Sequence, residues 1–128
     1  AEIRVSQSEN IEHSLFATGF PYYDYGRLDD YLVIFKHLLQ HSRGMRRLGS
    51  AAADLAYVAA GRYDGFYEYG LSPWDVAAGA LLVKNAGGSV SDFLGDGNFI
   101  FGKQIIAANN YIYPEFLKLF DAWKTQHA

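Results

Sequence analysis

The 128 residues are half apolar and one-fifth charged, with a formal net charge of −3 and no cysteine. That balance belongs to an ordinary globular domain, and it excludes a disulfide framework, a thiolate metal site and the basic footprint of a nucleic-acid binder. No apolar run approaches the roughly 18–20 residues of a membrane span, and the opening AEIRVSQSEN lacks the charged start and apolar core of a signal peptide, so a soluble, cytoplasmic protein is expected.

In chain order, His13 to Phe20 is a short apolar run ending at Gly19 and Pro21, and it reads as a buried strand. Leu28, Tyr31, Leu32, Phe35, Leu38 and Leu39 recur at helical spacing and predict an amphipathic helix. Asp29 and Asp30 suit its first turn, His37, His41 and Arg43 its end, and Gly44 its stop. Gly49 to Ala60 (GSAAADLAYVAA) is alanine-rich with Asp54 as its one charge, a helix expected to be packed on several sides. Tyr63 to Glu68 is an aromatic strand. Ser72 and Pro73 then open a helix that runs to about Ala86 and closes at Gly87-Gly88. Ser89 to Phe93 and Gln104 to Ala108 read as strands, with a hairpin turn at Gly95 to Asn98. Pro114 starts a last helix with Phe116, Leu119, Phe120 and Trp123 as its stripe. Helices and strands alternate without a linker or repeat, which predicts one layered α/β domain over residues 1–128.

Two carboxylates stand out by context. Glu68 ends an aromatic strand on the same face as Phe66, and Asp75 sits in the first turn of the following helix. The connection between them is short, so both should point into one region. A helix start offers unpaired N–H groups and a positive dipole end, a site for an anion. Magnesium takes oxygen ligands, often one or two carboxylates completed by water and phosphate, so Asp75 could hold a metal beside a phosphate. Structural readings compete. Ser72-Pro73-Trp74-Asp75 also fits a capping box, and Glu68 fits a strand-end carboxylate in solvent or an ion pair. Ser50 reads first as a helix N-cap, Arg46-Arg47 as a surface basic pair, and His37/His41 as polar-face residues without a metal motif around them.

The segment Arg46 to Gly88 resembles the C-terminal signature of the inositol monophosphatase family, most specifically in Trp74-Asp75-Val76-Ala77-Ala78-Gly79 and Ala86-Gly87-Gly88. Thr18-Gly19-Phe20-Pro21 and Arg47-Leu48-Gly49-Ser50-Ala51-Ala52 look like further family blocks in the family's order, and the resemblance covers about Leu15 to Asn109. It implies the C-terminal half of a layered αβαβα sugar-phosphatase fold, with a sheet packed between helices. It also implies Asp75 as a ligand of catalytic magnesium, Glu68 as the carboxylate contacting substrate hydroxyls, and Gly49, Ser50 and Ala51 as backbone lining the substrate pocket.

The family's activity is phosphate monoester hydrolysis with two or three Mg²⁺ ions. The resemblance therefore implies a parent enzyme acting on inositol monophosphate or a related sugar phosphate. A 3′-phosphonucleotide phosphatase of the same superfamily and a non-catalytic partner module are the alternatives. The family takes its other ligands from an N-terminal half, through a Glu-Glu pair and an Asp-Pro-x-Asp-Gly-Thr block. Neither occurs here, and Asp64-Gly65 is no substitute. The expectations that follow are a chain inactive alone with no catalytic residue in this half, completion by the N-terminal half, a homodimer when intact, and exposed apolar surface around Tyr22, Tyr23, Tyr25 and the alanine-rich helix.

Overall fold

The computed structural model describes residues 3–19, 28–71, 73–101 and 103–121. Five strands, β1 (Leu15–Thr18), β2 (Gly44–Arg46), β3 (Gly65–Tyr69), β4 (Ser89–Ser91) and β5 (Gln104–Ala108), form one sheet in the order β2-β1-β3-β5-β4. Among the described residues four helices accompany it: α1 (Leu28–His41), α2 (Ala51–Ala59), α3 (Pro73–Asn85) and α4 (Tyr113–Lys118). A 3-10 turn at Ile11–His13, capped by the Asn10 side chain, precedes β1.

β1 pairs in parallel with both β2 and β3, whereas β5 runs antiparallel to β3 and β4. The parallel trio decides where the chemistry can sit. α2 follows β2 and precedes β3, and two parallel strands are joined only by a return crossover. The N-terminus of α2 therefore lies at the sheet edge where β1, β2 and β3 end. α3 follows β3 directly, so its N-terminus meets the same edge. The carboxyl ends of parallel strands and two helix starts converge there, the usual ligand-binding edge of such sheets.

The sheet is packed between helices. On one face Ala17, Phe66, Ile105 and Ala107 pack against Leu55 and Val58 of α2 and Val76, Ala80 and Val83 of α3. On the other, Phe16, Tyr67, Tyr69 and Ile106 pack against Tyr31, Ile34 and Leu38 of α1 and Phe116 of α4. The alternation along β3, with Phe66 and Glu68 toward α2 and α3 and Tyr67 and Tyr69 toward α1 and α4, is the period-two rule of a strand. Asp64 ties the layers to the N-terminal segment: its Oδ2 accepts the Leu15 N–H at 2.6 Å and its Oδ1 the Ser6 hydroxyl at 2.5 Å. Asn109 donates to Ser6 Oγ at 2.9 Å and to the Ser8 carbonyl at 3.0 Å.

Several elements differ from their sequence reading. In α1, Leu32 and Leu39 are exposed at 46% and 58%, and Ile34 is buried in their place. The packed line is Tyr31, Ile34 and Leu38, because a short sheet receives only a narrow strip of a helix. Gly44 does not stop α1, which ends at His41; it opens β2, and the Arg43 N–H reaches the Ser14 carbonyl at 2.9 Å to set that strand beside β1. A three-residue strand, Gly-Met-Arg, carries no alternation to reveal it. The alanine-rich α2 is packed on one broad face, leaving Ala52 and Tyr57 exposed. Gly95 turns with a φ of 86°, but the β4–β5 connection spans Asp92 to Lys103 rather than a tight hairpin. Within it Asp92 Oδ1 accepts the N–H groups of Leu94 and Asp96, each at 2.9 Å. Phe20, Ser72, Trp123 and the tyrosines 22, 23 and 25 lie outside the described residues, and with them the proposed Ser72 cap.

Candidate active site

Glu68 leaves β3 one residue before its end, paired with Ile105 of β5, on the face covered by α2 and α3. Its carboxylate folds over the end of the neighbouring strand. A Cβ built at Gly19, which directly follows β1, would fall on that carboxylate, 2.7 Å from Oε2 and nearer still to Oε1. Asp75 is half-buried in the first turn of α3, and the two acids are close enough that the charge of Asp75 raises the proton affinity of Glu68. That charge effect agrees with the short connection between them.

A third carboxylate, which composition had marked only as the single charge of α2, belongs to the same group. Asp54 is 1% exposed, and neither carboxylate oxygen has a hydrogen-bond partner among the described residues. Burial pushes its pKa from 3.8 to about 6. Glu68 is pushed from 4.5 to about 7, first by burial, then by the charges of Asp54 and Asp75, with Arg47 pulling the other way. Arg47 is thus more than one member of a surface pair: its charge acts on Glu68. Perturbed acids clustered at a strand-end edge are a recognised mark of a functional site. The signal in the sequence was a lone charge inside an alanine helix, an expense that needs a reason.

The three pocket-lining candidates sit at the start of α2. Gly49 adopts a φ of 86° and has open space where a Cβ would be. Ser50 is the N-cap, its hydroxyl accepting the Ala53 N–H at 3.2 Å, and Ala51 begins the helix. The capping reading of Ser50 is therefore realised, at the same sheet edge as Glu68 and Asp75. His37 and His41 lie with ring centroids 4.5 Å apart and planes tilted by 40° on the exposed side of α1.

Among the described residues no group of three or more His, Cys, Asp or Glu side chains could hold a metal ion. Asp75 and Glu68 are hard oxygen donors, the type that magnesium takes. In kind they fit the ion; in number they supply one side of its shell. Among the described residues, no helix is long and apolar enough to cross a membrane.

The fold and the acids at this edge define a sugar-phosphatase-like α/β protein. Residues 1–124 match the inositol monophosphatase family, and the chain belongs to that family. It is 50% identical over 117 residues to the Nus factor SuhB of Pseudomonas aeruginosa, covering 90% of this chain and 43% of that protein. It is 49% identical over 115 residues to the Nus factor SuhB of Escherichia coli, with the same coverage of each. The extragenic suppressor protein suhB from Bartonella henselae superposes with a TM-score of 0.87 at 41% identity, over 93% of this chain and 46% of that one. An inositol monophosphatase from Anabaena superposes with a TM-score of 0.83 at 40% identity, over 91% and 46%. The chain thus spans slightly under half the length of these relatives.

Proposed function

We propose that the protein containing this chain is a magnesium-dependent phosphomonoesterase acting on inositol monophosphate or a related sugar phosphate. The observation that carries the reading is the meeting of Glu68 and Asp75 at the edge where α2 and α3 begin. Two helix starts direct unpaired N–H groups and positive dipole ends toward a phosphate. Asp75 would hold magnesium, and the bound ion would supply Lewis acidity toward the phosphoryl oxygens and an acidified water. Glu68 accepts hydrogen bonds from substrate hydroxyls when ionised, and a polyol has the donors to satisfy it. Gly49 to Ala51 line the pocket with backbone. The remaining metal ligands come from the part of the protein beyond this chain, so the 128 residues alone are inactive. The intact protein is taken as a cytoplasmic homodimer.

The test is phosphate release by the intact protein from inositol 1-phosphate, with and without magnesium, against a nucleotide 3′-phosphate. Asp75→Asn should lower kcat by about a hundredfold or more, since losing even a partner that only orients a metal ligand costs roughly 10–100-fold. Preference for the nucleotide would redirect the substrate assignment, and no magnesium-dependent release from either would end the reading.

The names of the SuhB relatives favour a second reading, a Nus factor role. The apolar side chains left exposed on α3, Trp74 at 82% and Leu81 at 59%, are compatible with a partner surface. The two roles separate genetically: Asp75→Asn should abolish hydrolysis and leave a Nus factor function intact.

A further inference from the structure

We propose that Gly19 is a positioning residue for the site: the bare backbone at the end of β1 is the seat on which the Glu68 carboxylate rests, and it aims that carboxylate at substrate hydroxyls. The inference rests on the reading of Glu68 as the hydroxyl-contacting group. Gly19 is buried, and its φ is not in the left-handed region that would by itself demand glycine. Space is the reason for the missing side chain. The three nearest atoms that a Cβ would meet are the two oxygens and the carboxyl carbon of Glu68, and no backbone atom is among them. The strand register explains the approach, since Thr18 pairs with Tyr67 and Gly19, the residue after β1, comes against Glu68. Thr18 holds that register from the side chain as well, donating its hydroxyl to the Tyr67 carbonyl at 2.8 Å.

The far side is closed by α2. Asp54 is buried there with both oxygens unpartnered among the described residues, and its charge acts on Glu68. Asp54 repels the ionised Glu68 from the α2 side, the Gly19 backbone leaves room on the β1 side, and Arg47 attracts it. The carboxylate thus feels the like charges of Asp54 and Asp75 and the cation of Arg47, with room left where a Gly19 side chain would be. Adding that methyl displaces the far end of a flexible side chain without straining the main chain, so the effect should fall on the aim of Glu68 rather than on the fold.

The experiment is a double-mutant cycle in the intact protein with Gly19→Ala, Glu68→Ala and the pair. In the parent background Gly19→Ala should raise KM for inositol 1-phosphate about tenfold, the loss of one hydrogen bond to a charged acceptor, with a much smaller change in kcat. In the Glu68→Ala background it should change KM less than twofold, because its target is gone. An equal rise in both backgrounds, or no rise in either, overturns the inference. A direct readout separates it from the substrate assignment. The labelled carboxyl carbon of Glu68, followed by NMR, should shift in Gly19→Ala, because the added methyl would overlap that carboxylate and must displace it. A resonance that moves while Glu68→Ala leaves KM unchanged refutes the hydroxyl-contacting role but not the seat. An unmoved resonance refutes the seat. Should Gly19→Ala lower stability, adding Glu68→Ala must restore it, and failure to do so counts against the proposal.

Discussion

Asp54 and Glu68 hold their protons more tightly in the folded chain than in an unfolded one, at about 6 and about 7 against 3.8 and 4.5. Across that window the native state binds more protons than the unfolded state, so stability falls as pH rises. The contribution is full below about pH 4 and lost above about pH 7. Each shift corresponds to on the order of 3 kcal/mol at most, and the two acids are coupled, so the total is less than the sum. Urea unfolding of the chain at pH 5 and pH 8 should show the higher midpoint at pH 5, and Asp54→Asn with Glu68→Gln should flatten the difference. A midpoint that rises equally with pH in both proteins would contradict the burial of these acids. At pH 8, Asp54→Leu alone should stabilise by about 1–3 kcal/mol, since it removes a buried charge that has no compensating bond among the described residues.

The helices α2 and α3 cross closely because Gly79 lets them. A Cβ at Gly79 would lie 2.6 Å from Leu55 Cβ and 2.7 Å from its Cδ1, and Leu55 is fully buried. Gly79→Ala should therefore cost about 1–3 kcal/mol through overpacking, measured by thermal or urea unfolding. In a Leu55→Ala background the same change should cost markedly less, because the methyl then fills space that the leucine vacated. Additive costs would place the strain elsewhere. The crossing also matters for the site, since it fixes the starts of α2 and α3 relative to each other.

At the scale of the whole molecule, the described surface carries large apolar side chains in the open: Trp74 at 82%, Leu81 at 59% and Leu82 at 43% on α3, and Phe101 at 76%. Contiguous exposed apolar surface is uncommon in monomers and marks contacts. The 128-residue chain should self-associate, and sedimentation should show the mass rising with concentration. Leu81→Glu with Leu82→Glu should restore the monomer without lowering the unfolding midpoint, because neither side chain is in the core. A parent chain that stays monomeric at high concentration would refute the expectation.

Periodicity and punctuation were enough to place β5, α3 and the start of α4 near their observed bounds, whereas α4 ends at Lys118, before the Leu119 and Phe120 of its expected stripe. Pro73, Pro114 and Gly87 are steric instructions that neighbouring residues do not override. The residue pattern also put Glu68 and Phe66 on one face, and a resemblance over Arg46 to Gly88 pointed to Asp75 and the family. Gly44 was misjudged because a glycine ends a helix or opens a strand with equal ease, and the choice lay with the pairing to Leu15. Asp54 and Gly19 were invisible as site residues for a related reason. A lone acid in an alanine helix signals a costly burial without saying what it serves, and a glycine after a strand has no local signature of function. Only the parallel register of β1 and β3, with α2 packed on the sheet, brings Gly19 against the carboxylate of Glu68 and the charge of Asp54 within its range. Local sequence sets which elements form; contacts between residues dozens of positions apart are made by packing, and the site is made of such contacts.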